Sequence, residues 1–116
     1  MTSKELRLGN FVINKNGKIE KVYTIYNESI NGYDGNGGII PDDESNFKGI
    51  ELTMEWFKDF GFEAKGSDPD FLERDNFSGI FSNGDFKLTW YELAPCRHVH
   101  ELQNLFFAIK GKELDL

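Results

Sequence analysis

The stretch 10–26, NFVINKNGKIEKVYTIY, decides how the fold begins. It opens on the strand formers FVI and closes on a run, KIEKVYTIY, whose apolar and polar side chains alternate as they do in a half-buried strand. Between the two runs, Asn16-Gly17 suits a tight turn, because both residues tolerate positive φ. The pattern predicts a β-hairpin that pairs residues 10–14 with residues 18–26.

A glycine-rich stretch and then a polar one follow the hairpin. Residues 29–40, SINGYDGNGGII, contain four glycines and predict a short strand, a flexible tip and a return strand. Residues 41–49, PDDESNFKG, predict a polar loop. Residues 6–52 together indicate a small, strongly curved antiparallel sheet. An SH3-like barrel is the form expected for short strands joined by glycine-rich turns.

A first helix is expected directly after this sheet. Thr53 is a good N-cap, and Leu52 and Phe57 occupy the two positions of a hydrophobic staple. Gly61 is placed to end the helix after about two turns. The stretch 53–61 therefore predicts a short helix with its apolar side on the core.

Residues 62–91 predict an antiparallel meander of about three strands. The strand-like run in the middle is interrupted at Asp75-Asn76 and again at Gly79. The residues SNGD at 82–85 are a strong hairpin-turn signal.

A second helix is predicted from about His98 to Ile109, because apolar residues recur there at helical spacing. Gly111 supplies its stop, and the last residues, ELDL, predict a short strand or a docked tail. The polar side of this helix is expected to carry His100, Glu101 and Asn104.

These elements predict one compact α+β domain over residues 1–116. A mostly β subregion covers 6–52, and a second subregion of helix, antiparallel meander and helix covers 53–116. Hydrophobic residues make up 39% and aromatic residues 15% of the chain. Those fractions are enough for a core and exclude a mainly disordered acidic chain.

Composition also indicates the cellular setting. No apolar stretch approaches the ~20 residues of a membrane-spanning helix, and the N-terminus, MTSKELRLGN, has no apolar run of signal-peptide length. The single cysteine, Cys96, excludes an intramolecular disulfide and fits a reducing compartment. We therefore expect a cytoplasmic protein that has no membrane partner.

The net charge of −7 is unevenly distributed along the chain. Residues 1–26 carry +3, residues 27–95 carry −10, and residues 96–116 are neutral. An acidic domain repels a phosphate backbone, so nonspecific DNA or RNA binding is disfavoured for the whole chain. The basic N-terminal segment is an alternative nucleic-acid surface, although a solvated strand face is favoured. Its basic residues are Lys4, Arg7, Lys15, Lys18 and Lys21.

Acidic residues recur at every fourth position around the first predicted helix. This spacing aligns Glu55 and Asp59 on one helix face and places Glu51 and Glu63 near its two ends. Such a surface would mimic nucleic-acid phosphates toward a DNA-binding protein, and it is the candidate interaction surface. The competing interpretation, favoured on the pattern alone, is an ordinary solvated helix face. The candidate surface also includes the preceding acidic run Asp42, Asp43 and Glu44.

Cys96, His98 and His100 bring together residue types that ligate metals. On an extended chain all three would face one side, whereas in a helix His98 would drop out. A structural zinc site normally takes four Cys or His ligands, and the chain has no second Cys and no third His. A cysteine nucleophile would need an orienting Asn or Asp and a pocket. We favour histidines that cap or pack at a helix entry, and expect no metal, cofactor or catalytic residue.

Three further patterns do not support an activity. The glycines of 32–38 lack the Lys-Ser or Lys-Thr and the following helix of a phosphate-binding loop. The acidic pairs on loops lack the spacing of a calcium loop. Phe107 departs from the apolar stripe of the second helix, which predicts either a helix covered on two sides, the favoured alternative, or the contact surface of a homodimer.

Three blocks of the sequence match a known pattern in order and spacing. They are ELRLGNFV at 5–12, LTMEWF at 52–57 with FGF at 60–62, and HELQNLFFAIKGKEL at 100–114. They resemble the motifs ELRIGNYV, LTEEWLLKFGFE and VHxLQNLYFALTGEEL of a family of small uncharacterised proteins from gut bacteria and their phages. The resemblance implies a bacterial, phage or mobile-element source and carries over no catalytic residue.

These observations predict a non-enzymatic cytoplasmic binding protein of phage or mobile-element origin. It is expected to act through protein–protein contacts, with the acidic central segment as its surface. Nucleic-acid binding through the basic N-terminal sheet is the second hypothesis. An enzyme is the third, and it has the least support because no catalytic constellation is recognisable.

Overall fold

Two four-stranded antiparallel sheets and two helices form the protein in the computed structural model, which describes residues 6–26, 29–33, 39–43, 47–89 and 93–116. The predicted α+β class is confirmed. In chain order the elements are β1 (Phe11–Ile13), β2 (Ile19–Tyr26), β3 (Ser29–Tyr33), β4 (Ile39–Asp43), α1 (Met54–Asp59), β5 (Glu63–Ala64), β6 (Phe71–Arg74), β7 (Phe77–Ser82), β8 (Asp85–Leu88) and α2 (Val99–Lys110).

The predicted N-terminal hairpin is confirmed as β1 and β2, which pair antiparallel. Gly17 in the turn has φ +79°, a conformation that favours glycine. The side chain of Asn14 completes the turn, because its Oδ1 accepts hydrogen bonds from the backbone N–H groups of Asn16 and Lys18. The Asn14 side chain, which directly precedes the turn, thus satisfies two backbone N–H groups of the turn.

The first sheet has the strand order β1-β2-β3-β4. The register of β2 against β3 shifts between Val22 and Thr24, a bulge that bends the strand and increases its twist. The predicted loop over 41–49 begins later than expected, because β4 continues through Pro41 to Asp43. In the described part of the sheet β4 is an end strand, where the missing N–H of proline is tolerated.

Helix α1 begins and ends where the sequence indicates. Thr53 is the N-cap residue, although its side chain makes no capping hydrogen bond. At the other end Gly61 has φ +84° and reverses the chain. The staple residues Leu52 and Phe57 are both buried. A helix of six residues without a side-chain cap depends on this packing for its stability.

The second sheet has the order β5-β6-β7-β8, so it contains four strands where the sequence predicted about three. The difference arises at Asp75-Asn76, whose φ values of +52° and +66° form a two-residue hairpin turn between β6 and β7. The predicted turn at Asn83-Gly84 is confirmed, with φ values of +53° and +82°.

Gly79 lies inside β7 and does not interrupt it, contrary to the prediction. It is opposite Leu88 of β8. A Cβ at this position would come within 2.3 Å of the Lys87 carbonyl oxygen and 2.7 Å of Phe86 Cζ. The glycine therefore allows the backbone of β8 and a buried ring to approach closely.

Helix α2 starts one residue later than predicted and ends at the expected glycine. Its N-cap is His98, whose backbone N–H donates to Glu101 Oε1 at 2.9 Å. Gly111 ends it with φ +69°. The final residues form a docked tail, because the side chain of Leu114 is only 1% exposed.

Two polar residues of α2 are buried, and one of them corrects a prediction. His100 was expected on the polar side of the helix, but it is 4% exposed. Gln103 is fully buried. Because Leu102 and Phe106 are buried as well, α2 is covered on two sides, one of them by β1. The favoured interpretation, a helix covered on two sides, therefore applies around Gln103 but not fully at Phe107, which is 39% exposed.

Gln103 joins three segments that are distant in sequence. Its Nε2 donates to the carbonyl oxygens of Gly9 at 3.0 Å and of Leu114 at 2.9 Å. Its Oε1 accepts from the backbone N–H of Phe11 at 2.9 Å. All the hydrogen-bonding groups of the buried amide therefore have partners, as a buried polar side chain requires.

Residues 47–52 form a segment, here called the strap, that is bonded to both halves of the protein. Lys48 exchanges two backbone hydrogen bonds with Ile13 of β1, at 2.8 and 2.9 Å. Leu52 N–H donates to the carbonyl of Arg97, and Val99 N–H donates to that of Ile50. The strap thus links the edge of the first sheet to the entry of α2.

The main core lies between α1, α2 and the second sheet, and phenylalanines dominate it. The Phe57 ring lies about centrally, 5.3 Å from Phe62 and 5.0 Å from both Phe81 and Phe86 between ring centroids. Such aromatic contacts add to the stability gained by burial alone. No helix within the described ranges is long and apolar enough to cross a membrane.

Candidate interaction surface

Four of the predicted acidic residues lie on helix α1 or in the segments that flank it. Glu55 and Asp59 lie one turn apart on the exposed face of the helix, because Phe57 takes the buried face. Glu51 precedes the helix, where its backbone bridges that of His98, and Glu63 opens β5. All four side chains are in exposed positions. We call Glu51, Glu55, Asp59 and Glu63 the acidic surface.

The acidic surface differs from the other charged regions in its lack of ion pairs. In the part of the chain that the structure describes, no basic side chain lies within ion-pair distance of any of its four carboxylates. Within the described ranges, five other acidic residues do have a lysine or arginine partner, namely Glu73, Asp75, Asp85, Glu113 and Asp115. The described part of the chain therefore does not neutralise the charge of the acidic surface at contact distance.

The predicted extension of this surface lies outside the described residues. Asp42 and Asp43 belong to β4 by their backbone, but their side chains are not described, and neither is Glu44. The contribution of this acidic run stays a prediction.

The basic N-terminal segment, the alternative surface, is partly neutralised by the C-terminal tail. Arg7 pairs with Glu113, and Lys21 Nζ lies 2.7 Å from Asp115 Oδ2. Lys18 is exposed, as is Lys15. Lys4 lies outside the described residues. Two of the basic side chains on which this alternative depends are therefore already paired.

Phe107 is only partly covered. Its ring is 39% exposed, and the guanidinium carbon of Arg7 lies 3.8 Å from the ring centroid. This arrangement is a cation–π contact. The N-terminal segment therefore covers one face of a ring that stays partly exposed.

Cys96 is separated from the two histidines. Its backbone bridges Phe86 of β8, and its side chain is buried in the main core. Burial, together with a smaller contribution from the charge of Glu101, raises the pKa of the thiol to about 12. The thiol is therefore protonated at neutral pH, which is the opposite of an activated nucleophile.

His98 and His100 stack on each other at the start of α2, with ring centroids 5.7 Å apart. Gly49 of the strap lies against both rings, since a Cβ there would be 2.8 Å from His98 Cδ2 and 3.0 Å from His100 Cε1. His98 Nδ1 lies 2.8 Å from Glu101 Oε1. This is the geometry of a packed helix entry. In the described ranges, no three Cys, His, Asp or Glu side chains are grouped to hold a metal ion.

Glu101 receives several hydrogen bonds at this helix entry. Partial burial raises the pKa of its carboxyl group, but hydrogen bonds from the backbone N–H groups of Arg97 and His98 and from the His98 ring outweigh that effect. The pKa of Glu101 therefore lies below its usual value. The carboxylate stays charged at neutral pH and stabilises the positive end of the helix dipole.

We expect the burial of Cys96 to make the protein less stable as the pH rises. The unfolded thiol ionises at its ordinary pKa of 9.0, while the native thiol stays protonated up to about 12. The unfolded state binds fewer protons in this window, so the free energy of unfolding falls with a slope that approaches ~1.4 kcal/mol per pH unit.

Urea denaturation of the wild type and of Cys96→Ala, from neutral pH into this window, measures the effect. The stability of the wild type relative to Cys96→Ala should decline with rising pH, because only the wild type carries this thiol. A stability difference that stays constant above pH 9.0 would contradict the shielded position of the thiol.

The sequence did not indicate an open cavity on the outer face of the β7–β8 hairpin. Its volume is about 460 Å³. Strand alternation alone points Ile80 and Lys87 outward but does not show that they border a concavity. The lining residues are Ile80, Ser82, Asn83, Asp85, Lys87, Leu88 and Thr89.

The exposed carboxylates offer negative charge and hydrogen-bond acceptors to a basic ligand, without the need for a deep pocket.

No family model, curated protein or solved structure matches the chain.

Proposed function

We propose that the protein is a non-enzymatic, cytoplasmic binding protein of phage or mobile-element origin that recognises a basic protein through its acidic surface. The observation that carries the proposal is that Glu51, Glu55, Asp59 and Glu63 are exposed and have no ion pair with a described lysine or arginine, whereas most other described acidic side chains do. A basic partner would supply the missing counter-charges.

The electrostatics of the chain support the same kind of partner. A net charge of −7 attracts a basic protein over several ångströms and raises the rate of association. Exposed charges are screened by salt, so binding through this surface weakens as ionic strength increases. A partner that binds DNA is included in this class, because its basic surface is shaped for phosphates.

We also propose that the first sheet is a curved, SH3-like barrel. The bridge between Ile13 and Lys48 supports this form, because it returns the chain after β4 to the free edge of β1. The bulge between Val22 and Thr24 supports it as well, since bulges supply the curvature that a closing sheet needs.

Nucleic-acid binding through the basic N-terminal segment is the second candidate. The pairing of Arg7 with Glu113 and of Lys21 with Asp115 makes it weaker than the first, because those cations would have to exchange partners. A homodimer through Phe107 is a further proposal for the same end of the molecule, based on the exposed part of that ring. An unidentified enzymatic activity ranks last.

The acidic surface is tested by removing its four charges with amides of the same shape. The variant carries Glu51→Gln, Glu55→Gln, Asp59→Asn and Glu63→Gln. A partner captured from cells on the wild-type protein should bind this variant at least about fourfold more weakly, because four exposed ion pairs of roughly 0.2–1 kcal/mol each contribute about 0.8 kcal/mol or more in total. Calorimetry with the purified partner gives the affinities.

The matched control also removes four charges but leaves the acidic surface intact. It carries Asp68→Asn, Asp70→Asn, Asp75→Asn and Asp85→Asn. We expect it to bind the partner within about twofold of the wild type. Equal binding by both variants would refute the role of the acidic surface. A partner lost after nuclease treatment would favour the nucleic-acid alternative instead.

A further inference from the structure

The chain contains four Asn-Gly dipeptides, at 16–17, 31–32, 36–37 and 83–84. In this dipeptide the glycine nitrogen can attack the asparagine side chain with little steric hindrance, because glycine has no Cβ. The chemistry modifies the chain without an enzyme. Three of these four sites can be compared by the backbone hydrogen bonding of their glycine, because the fourth, 36–37, lies outside the described residues.

The reaction needs only water. The deprotonated backbone nitrogen of glycine bonds to Cγ of asparagine, the bond from Cγ to the amide nitrogen breaks, and ammonia leaves with the displaced proton. Water then opens the five-membered imide at one of its two carbonyl carbons. The product is aspartate or isoaspartate, so a neutral amide becomes a carboxylate.

Asn83-Gly84 combines the features that favour this attack. Both residues lie at the tip of the β7–β8 hairpin and are exposed. In the described hydrogen-bond network, the N–H of Gly84 donates to no acceptor. The attacking nitrogen is therefore open to solvent base and does not have to break a hydrogen bond first.

The other two described sites hold their glycine nitrogen more firmly. Gly17 N–H donates to the carbonyl of Asn14 at 3.0 Å, so attack by this nitrogen must first break that bond. Asn31-Gly32 lies in β3, which pairs with β2 on one side and with β4 on the other. A backbone that is paired with a strand on each side is restricted in its motion, and this hinders attack by the Gly32 nitrogen on the Asn31 side chain.

We propose that Asn83 is a site of spontaneous deamidation and that the modification changes the charge of the cavity on the β7–β8 hairpin. Asn83 lines that cavity beside Asp85 and Lys87. Asp85 already pairs with Arg97, which lies outside the lining. The new carboxylate therefore adds a negative charge to this lining, and the cavity becomes more attractive to a cationic ligand.

The isoaspartate product has a second consequence for the hairpin. It inserts the asparagine Cβ into the backbone of a two-residue turn, whose geometry depends on the positive φ of both residues. The register of Ser82 against Asp85 then has to change. The modification thus alters the rim of the cavity as well as its charge.

Peptide mapping by mass spectrometry tests the proposal on the intact protein. Samples are incubated at mildly alkaline pH below the unfolding temperature, and conversion is followed in segment 75–87 for Asn83 and in segment 6–20 for Asn16. In the folded protein we expect Asn83 to convert about fivefold faster than Asn16, the factor that corresponds to the ~1 kcal/mol of one backbone hydrogen bond. In denaturant the two rates should become equal.

The variant Asn83→Gly is the matched control, because glycine tolerates positive φ and has no amide to lose. It should abolish the charge change detected by ion exchange for segment 75–87 and leave conversion at Asn16 unaltered. Equal rates at Asn83 and Asn16 in the folded protein would overturn the proposal. So would faster conversion at Asn16, or a folded protein in which Asn83 does not convert.

Discussion

Replacing Gln103 with leucine is expected to lower the free energy of unfolding by about 3–5 kcal/mol. The substitution leaves the Phe11 N–H and the carbonyls of Gly9 and Leu114 without their partner in a buried site. Each buried polar group that loses its partner costs roughly 1–3 kcal/mol. Leucine is at least as good a helix former as glutamine, so the loss does not come from α2 itself. The denaturation midpoint in urea measures it.

Gln103→Glu separates the loss of hydrogen bonds from any change of shape. The carboxylate still accepts from Phe11 N–H, but it faces the carbonyl oxygens of Gly9 and Leu114 with no hydrogen to donate. We expect a loss comparable to that of leucine at neutral pH and partial recovery in acid, where the protonated carboxyl regains one donor. If both variants kept wild-type stability, the amide would not hold the three segments together.

Gly79→Ala is expected to cost about 3 kcal/mol or more. The added methyl group would meet the Lys87 carbonyl oxygen at 2.3 Å and the Phe86 ring at 2.7 Å. Overpacking typically costs about 1–3 kcal/mol, and here one of the two neighbours is backbone that belongs to the adjacent strand. The strands β7 and β8 would have to separate. Thermal or urea unfolding, monitored by circular dichroism, gives the change in stability.

Gly66→Ala is the control for this substitution. Gly66 has φ +75°, and nothing lies within 4 Å of a Cβ built there. Its replacement should cost only the roughly 1–2 kcal/mol of a left-handed alanine. If Gly79→Ala cost no more than Gly66→Ala, the close approach of β8 would not explain the glycine.

Local chemistry explains which parts of the fold were predictable. The hairpin of β1 and β2, the ends of α1 and the Asn83-Gly84 turn follow from residues within a few positions of one another. The turn at Asp75-Asn76 was mistaken for an interruption, because Asp-Asn is a weaker hairpin-turn signal than Asn-Gly. Its positive φ values are imposed by the pairing of β6 with β7.

The errors arose where distant segments determine the environment. Gly79 was interpreted as a break because the neighbour that requires it, the backbone at Lys87, belongs to another strand. His100 was placed on a polar face because helical periodicity cannot show that a second layer covers the helix. Gln103 gave no sequence signal, since a glutamine in a helix is usually solvated.

The acidic surface illustrates the same limit for the candidate site. Its four residues were predicted from their spacing around one short helix. The absence of ion pairs from those four side chains depends on where the described lysines and arginines fold, which the spacing does not contain. Cys96 and its neighbouring histidines show the converse, because proximity in sequence did not bring the thiol to the two rings.

The strap has a consequence for how the molecule unfolds. Lys48 is bonded to the outer edge of β1, and only a few residues later Ile50 and Leu52 are bonded to the chain around Val99. Opening the first sheet pulls on a segment that is bonded at Arg97 and Val99, and the neighbouring Cys96 is bonded to Phe86 of the second sheet. The two sheets should therefore melt together in one cooperative transition, with no intermediate that retains a single sheet.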